Sequence, residues 1–230
     1  PEPRIQYSDF AAWQREQPDD FAHGLEFFAR LLDGTAPVLA LPLDKARPDR
    51  QTFGAAEESV LIPSKLEAGL KDLAQKHNAT LFMTLFATFH TLLYRYTNQS
   101  DIVVGFPVAR RTRPETLDRI GGFVNAVVLR TDISAEMTFT GLLEQVRTRA
   151  TETYAHQNVP FAKVVEKLQP RRASQHTPIM QVMFNLEDFP VKKDRCHDIE
   201  FAELHFEPTL SAFDLTLEIV RTEEGLCCQF

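Results

Sequence analysis

Cysteine, tryptophan and basic residues are scarce in this chain, and each shortage removes a class of protein. Three cysteines, two of them the adjacent Cys227 and Cys228, form no spaced disulfide framework and leave at least one thiol unpaired. That usage predicts a reducing, cytoplasmic setting. Cys196, His197 and His205 lack the spacing of a zinc site and Cys227 with Cys228 does not repair it, so no metal is expected. Acidic residues outnumber basic ones by 32 to 25, for a formal net charge of −7, with no long tract of the opposite balance. A nonspecific nucleic-acid binder would need a positive footprint, which is missing. No apolar stretch reaches the ~20 residues of a spanning helix. The longest, Leu81 to Leu93, is interrupted by Thr84, Thr88, His90 and Thr91. Pro1 to Gln17 has no basic start followed by an apolar run, so no signal peptide is read there. Glycines number only nine and make neither GxGxxG nor GxxxxGK, which leaves a nucleotide role without local support. No periodic or patch signal favours a homo-oligomer.

What is present is a composition for folding. The 230 residues are 43% hydrophobic and 25% charged, with 18 phenylalanines against one tryptophan. A chain of this size buries a core without disulfide staples.

Periodicity then predicts the elements. Ser8 to Leu32 reads as two helical pieces, the first with Phe10 and Trp13 on one side, broken near Pro18 and stopped by Gly34. Glu57 to Ile62 reads as a short strand ended by Pro63. Ser64 with Glu67 makes a capping box for a helix whose inner face is Leu66, Leu70 and Leu73. Leu81, Phe82, Leu85, Phe86, Phe89, Leu92, Leu93 and Tyr96 form an apolar stripe for burial against a sheet. Strands are expected at Asp101 to Val108, Phe123 to Arg130, Ile179 to Leu186, Ile199 to Phe206 and Phe213 to Val220. A charged connection, Asp188 to Asp198, separates two of them. Helices are expected at Phe139 to Tyr154 and Phe161 to Leu168, the second with Asn158 as its cap and Pro160 near its first turn. The mixture is α/β in layers, and Phe230 looks like the middle of a strand, which predicts a truncated chain.

A few polar residues stand out against this background. Alternation puts Asn125 on the same face as Phe123, Val127 and Leu129, and an unpaired amide there would cost about 1–3 kcal/mol. It therefore needs a partner: backbone, water or substrate. The preceding Gly121 and Gly122 permit close approach of another backbone or of a ligand arm. His156 lies in a polar loop and is readable as a base or as a surface residue before a helix. His90, between Phe86 and Phe89, reads as a packed or hydrogen-bonded core histidine. Arg110, Arg111 and Arg113 form a basic turn, either simply exposed or able to meet a phosphate of a partner's prosthetic arm.

Four ordered motifs match a known family. Tyr7-Ser8-Asp9-Phe10-Ala11-Ala12-Trp13-Gln14 resembles YxDFAxWQ, Ile120-Gly121-Gly122-Phe123-Val124-Asn125 resembles IGxFVN, His156-Gln157-Asn158-Val159-Pro160-Phe161 resembles HQDxPFE, and Pro178-Ile179-Met180-Gln181-Val182-Met183-Phe184 resembles PLFQVMF. These belong to the condensation domains of nonribosomal peptide synthetases, which share the two-lobed fold of chloramphenicol acetyltransferase and other CoA-dependent acyltransferases. The resemblance covers essentially the whole chain, with Gly105-Phe106-Pro107-Val108-Ala109 between the motifs.

The resemblance implies residues 1–50 as the end of a first lobe and its connection, and 51–230 as a second acyltransferase-like lobe, incomplete at its C-terminus. It implies amide formation between a carrier-bound acyl or peptidyl thioester and a carrier-bound aminoacyl amine. No cofactor is bound directly; substrates arrive on phosphopantetheine arms of upstream and downstream carrier domains, next to an adenylation domain. The family's HHxxxDG active-site motif is absent from this sequence, so the catalytic residue is unknown here and the isolated fragment is expected to be inactive. Asn125 is given a supporting role at the centre, and Gly121, Gly122, Phe123, Asn125 and Gln181 line a substrate tunnel. For Gln181 a structural polar contact is favoured over chemistry. Arg110, Arg111 and Arg113 become phosphopantetheine or carrier contacts. The chain departs from the family pattern at Asn158, Ala162, Ala126 and Ala173, where Asp, Glu, Thr and Asp are usual. A non-catalytic carrier-docking scaffold, an epimerising relative and a heterocyclising relative remain alternatives.

Overall fold

The computed structural model describes residues 5–16, 21–35, 38–169, 176–188, 195–196, 199–200 and 209–230. Two short helices come first, α1 (Tyr7–Glu16) and α2 (Ala22–Leu31), and Gly34 follows at φ +66°. That conformation suits a residue without Cβ and turns the chain away from the helix. The break expected near Pro18 lies outside the described residues. Next come β1 (Ser59–Pro63), α3 (Ser64–Lys76), α4 (Leu81–Thr97), β2 (Asp101–Val108), α5 (Pro114–Leu117) and β3 (Asn125–Asp132). They are followed by α6 (Phe139–Ala155), α7 (Phe161–Leu168), β4 (Val182–Glu187), β5 (Arg195–Cys196), β6 (Ile199–Glu200), β7 (Leu215–Arg221) and β8 (Gly225–Gln229).

Six strands form one sheet in the order β1-β8-β7-β4-β2-β3. The inner trio β7-β4-β2 is parallel, β8 and β3 flank it antiparallel, and β1 pairs antiparallel with β8. Parallel neighbours cannot be linked by a hairpin, so long crossovers separate β2 from β4 and β4 from β7. β5 and β6 pair only with each other. Of the expected strand Ile199 to Phe206, residues 201–208 lie outside the described residues, as does most of the Asp188 to Asp198 connection.

One face of the sheet is covered by α4, whose Phe86 meets Phe106 of β2 and Phe184 of β4 edge-on at 5.6 and 5.1 Å. All three rings are fully buried, and such edge-to-face pairs add to the stabilisation from burial alone. The expected stripe is thus the sheet-facing side, except that Leu92 and Tyr96 are exposed: the helix is longer than the sheet needs, and its last turns carry these two outward. His90 is fully buried, with Nδ1 2.6 Å from Thr131 Oγ1, as the core reading required. Burial alone depresses its pKa to about 3.

The opposite face at β2 and β3 is held to α2 by Arg130. Its guanidinium reaches Asp101 at 2.6 and 2.9 Å and donates to the carbonyls of Leu31 and Asp33 at 3.0 and 2.7 Å. A cation there satisfies carbonyls that the end of a helix leaves without partners.

Three local expectations are corrected. The capping box at α3 does not form: Ser64 is already helical and its hydroxyl donates to Glu224 O at 2.8 Å. Glu67 is buried between Lys71, at 2.7 Å, and Arg221. Leu66 is exposed, so Glu67, not Leu66, takes the inner face beside Ala74; two cations offer the carboxylate more than the orphan amides would. Finally, Asn158 makes no cap for α7.

Candidate functional site

The cap of α7 comes from Asn125, the first residue of β3. Its Oδ1 accepts from the Phe161 amide at 3.1 Å, and its Nδ2 donates to the carbonyls of Gln157 and Val159 at 3.0 and 2.7 Å. Backbone is therefore the partner among those left open by the sequence. Both amide donors and the carboxamide oxygen are engaged on one loop, 156–161. At 8% exposure, losing those bonds would leave several buried backbone groups without partners. Asn125 acts on its surroundings through the loop it holds.

The same loop is gripped from its other side by α2. A Cβ on Gly24 would overlap Val159 Cγ2 and stand 3.6 Å from His156 Nδ1. The His156 ring stacks on Phe27, centroids 4.4 Å apart and planes 28° from parallel. His156 is half-buried against this ring rather than a simple surface residue. Gly24 and Phe27 escaped the sequence reading. A glycine inside a helix, which costs about 1 kcal/mol relative to alanine, was the signal available.

Gly121 and Gly122 do allow a close approach, but the approaching group is the ring of Tyr7 from α1. A Cβ on Gly121 would lie 2.6–2.8 Å from three atoms of Tyr7, and the Tyr7 hydroxyl donates to Gly122 O at 3.1 Å. Phe123, buried beneath, meets Tyr7 edge-on at 5.2 Å and Phe10 at 4.9 Å. Two of the sequence motifs, far apart in the chain, thus form one contact.

The arginine turn completes it. Arg110 lies over Phe10 at 5.4 Å, Arg111 over Phe123 at 4.4 Å and Arg113 over Trp13 at 4.1 Å. Guanidinium planes on aromatic faces are favourable cation–π contacts. Arg110 is 8% exposed, which corrects the exposed-turn reading for that residue, and burial lowers its pKa from the usual arginine value. With the Gln14 carboxamide turned oxygen-inward, it accepts from both terminal nitrogens of Arg110 at 2.6 and 2.8 Å. Arg111 donates to Thr116 O. Arg113 keeps an exposed outer side.

Gln181 stands elsewhere. It is 5% exposed; its Oε1 accepts from the Leu39 amide at 3.3 Å and its Nε2 donates to Thr177 O at 3.1 Å. This is the structural polar contact favoured from sequence. Just before it, Ile179 has φ +72° and the Met180 amide donates back to Pro178 O at 2.9 Å. A β-branched residue in this turn is strained, and the turn drives buried Met180 into the space left by the missing Cβ of Gly105.

A cavity of about 840 Å³ lies between α2, β3 and α6, lined by Phe27, Arg30, Arg130, Gln145, Arg149 and His156 among others. Among the described residues no group of three or more His, Cys, Asp or Glu could hold a metal, and no helix is long and apolar enough to cross a membrane. His197 and His205 lie outside the described residues, and of Cys196 only the backbone is described. Cys227 and Cys228 are free thiols; burial, helped by Cys227, pushes Cys228 up to about 11, far from a reactive thiolate.

Comparison with known proteins places this arrangement. One of the linear gramicidin synthase proteins of Brevibacillus parabrevis is 46% identical over 226 residues, which cover 96% of this chain and 4% of that protein. Among solved structures, the X-domain in its complex with OxyB from teicoplanin biosynthesis superposes with a TM-score of 0.88 at 22% identity, over 100% of this chain and 52% of that one. A four-domain nonribosomal peptide synthetase, holo-AB3403, gives 0.79 at 24% identity over 92% of this chain and 17% of that one. The chain therefore spans about half of one neighbour and a small fraction of the others. The likeness to these structures shows a shared α/β fold. The condensation-domain family matches residues 1–230 from end to end, and the chain belongs to it.

Proposed function

We propose that this chain forms part of a condensation domain that joins two carrier-bound substrates by an amide bond in nonribosomal peptide synthesis. The match of residues 1–230 to the family carries the reading. In the reaction the amine nitrogen of an aminoacyl group attacks the carbonyl carbon of the donor thioester. The tetrahedral intermediate collapses, the C–S bond breaks, the donor's phosphopantetheine thiol leaves, and the amine gives up a proton. A thioester is already activated, so the protein mainly orients two tethered arms and stabilises the oxyanion.

Residues 1–50 belong to the end of a first lobe and its connection, and 51–230 to the second lobe. This chain supplies walls rather than the HHxxxDG histidine, which its sequence does not contain. Gly121, Gly122 and Phe123 form one wall. Asn125 orders the neighbouring 156–161 loop, which its three hydrogen bonds support. Gln181 keeps the start of β4 and residue 39 in register at the tunnel's margin. Arg113, stacked on Trp13 and open to solvent, meets a phosphopantetheine phosphate or an acidic carrier surface, with Arg110 and Arg111 fixing the turn behind it. The partners are upstream and downstream carrier domains and an adjacent adenylation domain.

The test uses the full-length protein with donor and acceptor thioesters loaded on their carriers. An amide product that needs both carriers is expected; no product from loaded, folded components overturns the reading. A carrier-docking scaffold is the second reading, favoured by the solvent-open Arg113 on its Trp13 platform, and it predicts carrier binding without turnover. Epimerised or cyclodehydrated products in the same assay would assign the relatives that perform those reactions.

A further inference from the structure

We infer that α1 is a clasp for the segment 110–124, and that the Tyr7 hydroxyl is a positioning group for the Gly121–Gly122 wall; the inference rests on the proposed amide-forming reading. The segment from 118 to 124 runs between α5 and β3 without regular structure. It turns tightly at Gly122, where the Phe123 amide donates to Gly121 O at 3.0 Å. Ile120 and Val124 on either side point outward, 99% and 67% exposed. Phe123 is the one large apolar side chain of the stretch that is buried, so little else within it holds its shape. What holds it is α1.

The clasp closes at three successive places along that helix. Tyr7 covers Gly121 and donates to Gly122 O at 3.1 Å. Phe10, the buried residue of α1, sits between Phe123 and the Arg110 guanidinium. Trp13 closes the far end under Arg113. Arg110 has φ +50°, a backbone conformation costly for a residue with a side chain. Its place over Phe10, and the two bonds to Gln14 once that carboxamide is turned oxygen-inward, keep it there. The glycine at 121 is required because the ring of Tyr7 occupies the space of a Cβ. A substrate arm consequently meets the wall from the side away from Tyr7, and the orientation of the Gly122 peptide follows from the phenol bond.

Trp13 is the single tryptophan of the chain, so its emission reports whether α1 is docked. Tyr7→Phe removes one hydrogen bond and keeps the ring. Expected in this variant are unchanged Trp13 emission and a melting temperature lower by only about 2–4 °C, with amide hydrogen exchange across 119–125 faster by about five- to tenfold, the scale of one net hydrogen bond, while 101–108 stays as in the parent. In the full-length protein, kcat for amide formation falls by about the same factor and KM for the loaded carriers stays within about twofold. Tyr7→Ala, which also removes the ring, shifts the Trp13 emission. Exchange across 119–125 unaffected by Tyr7→Phe overturns the clasp. Faster exchange with unaltered kcat overturns the positioning role. If the parent protein makes no amide at all, the functional reading falls, and the exchange and emission measurements on this chain still decide whether the clasp exists.

Discussion

Asn125 at the start of β3 caps α7 by accepting the Phe161 amide at 3.1 Å, so a strand and a helix separated by 36 positions share one side chain. The donors of the same carboxamide hold two carbonyls of the intervening loop. Asn125→Ala would leave these groups without partners in a buried setting. We expect a stability loss of about 3 kcal/mol and, in the full-length protein, slower amide formation with carrier binding nearly intact. Turnover equal to the parent in the folded variant would remove Asn125 from the site.

Gly24→Ala sets two effects against each other. In a helix the substitution is ordinarily stabilising by roughly 1 kcal/mol. Here the added Cβ would collide with Val159, itself 3% exposed, and overpacking costs about 1–3 kcal/mol. A net destabilisation in urea melts, with faster exchange across 156–161, is expected. A more stable variant would mean that α2 does not press on the loop.

His90 gives the fold a pH dependence with a defined sign. The folded chain keeps the ring neutral down to about 3, whereas the unfolded chain takes a proton near the ordinary value of 6.5. Between those values the unfolded state carries more protons, so stability is fully present above 6.5 and declines as the pH falls through that window. At pH 5 the loss from this residue is about 2 kcal/mol. Denaturant titrations of the parent and of His90→Gln, at pH 7.5 and 5, should show a smaller drop in the variant. Equal drops would refute the assignment.

Glu67 lies between Lys71 and Arg221 with its side chain 8% exposed. The Lys71 hydrogen bond lowers its pKa, burial opposes that, and the Arg221 bond adds to the lowering. Its contribution is therefore present above the ordinary carboxylate range and lost as the pH falls through its folded value. Glu67→Gln should cost about 1–3 kcal/mol, because Arg221 and Lys71 lose a buried charged partner although Arg221 keeps Asp188, and Glu67→Leu with Arg221→Met should recover much of it. A double variant no better than the single one would show that the pair stabilises in its own right.

The sequence by itself determined the elements that obey a period. The apolar stripe of α4, the alternation of β3 and the span of α7 follow from short-range spacing, because side-chain direction repeats within one turn or one pleat. Family membership was likewise in the sequence, since four ordered motifs carry it. β8 was glimpsed only as a strand at Phe230; its place between β1 and β7 is a matter of register between distant segments. Tertiary structure alone decided which polar group meets which. Ser64 turned to Glu224, 160 positions away, and Glu67 to Arg221, 154 away. Asn125 outcompeted Asn158 as a cap because the fold delivers a rigid strand end to the helix, whereas a local cap must bend its own loop. The arginines, charged and close in sequence, read as a solvated turn, and the fold sets Phe10 and Trp13 of α1 beneath two of them and Phe123 beneath Arg111. Hydrophobic burial is local in its pattern and nonspecific in its partner; hydrogen bonds and cation–π contacts are specific in their partner, and only the folded chain selects it.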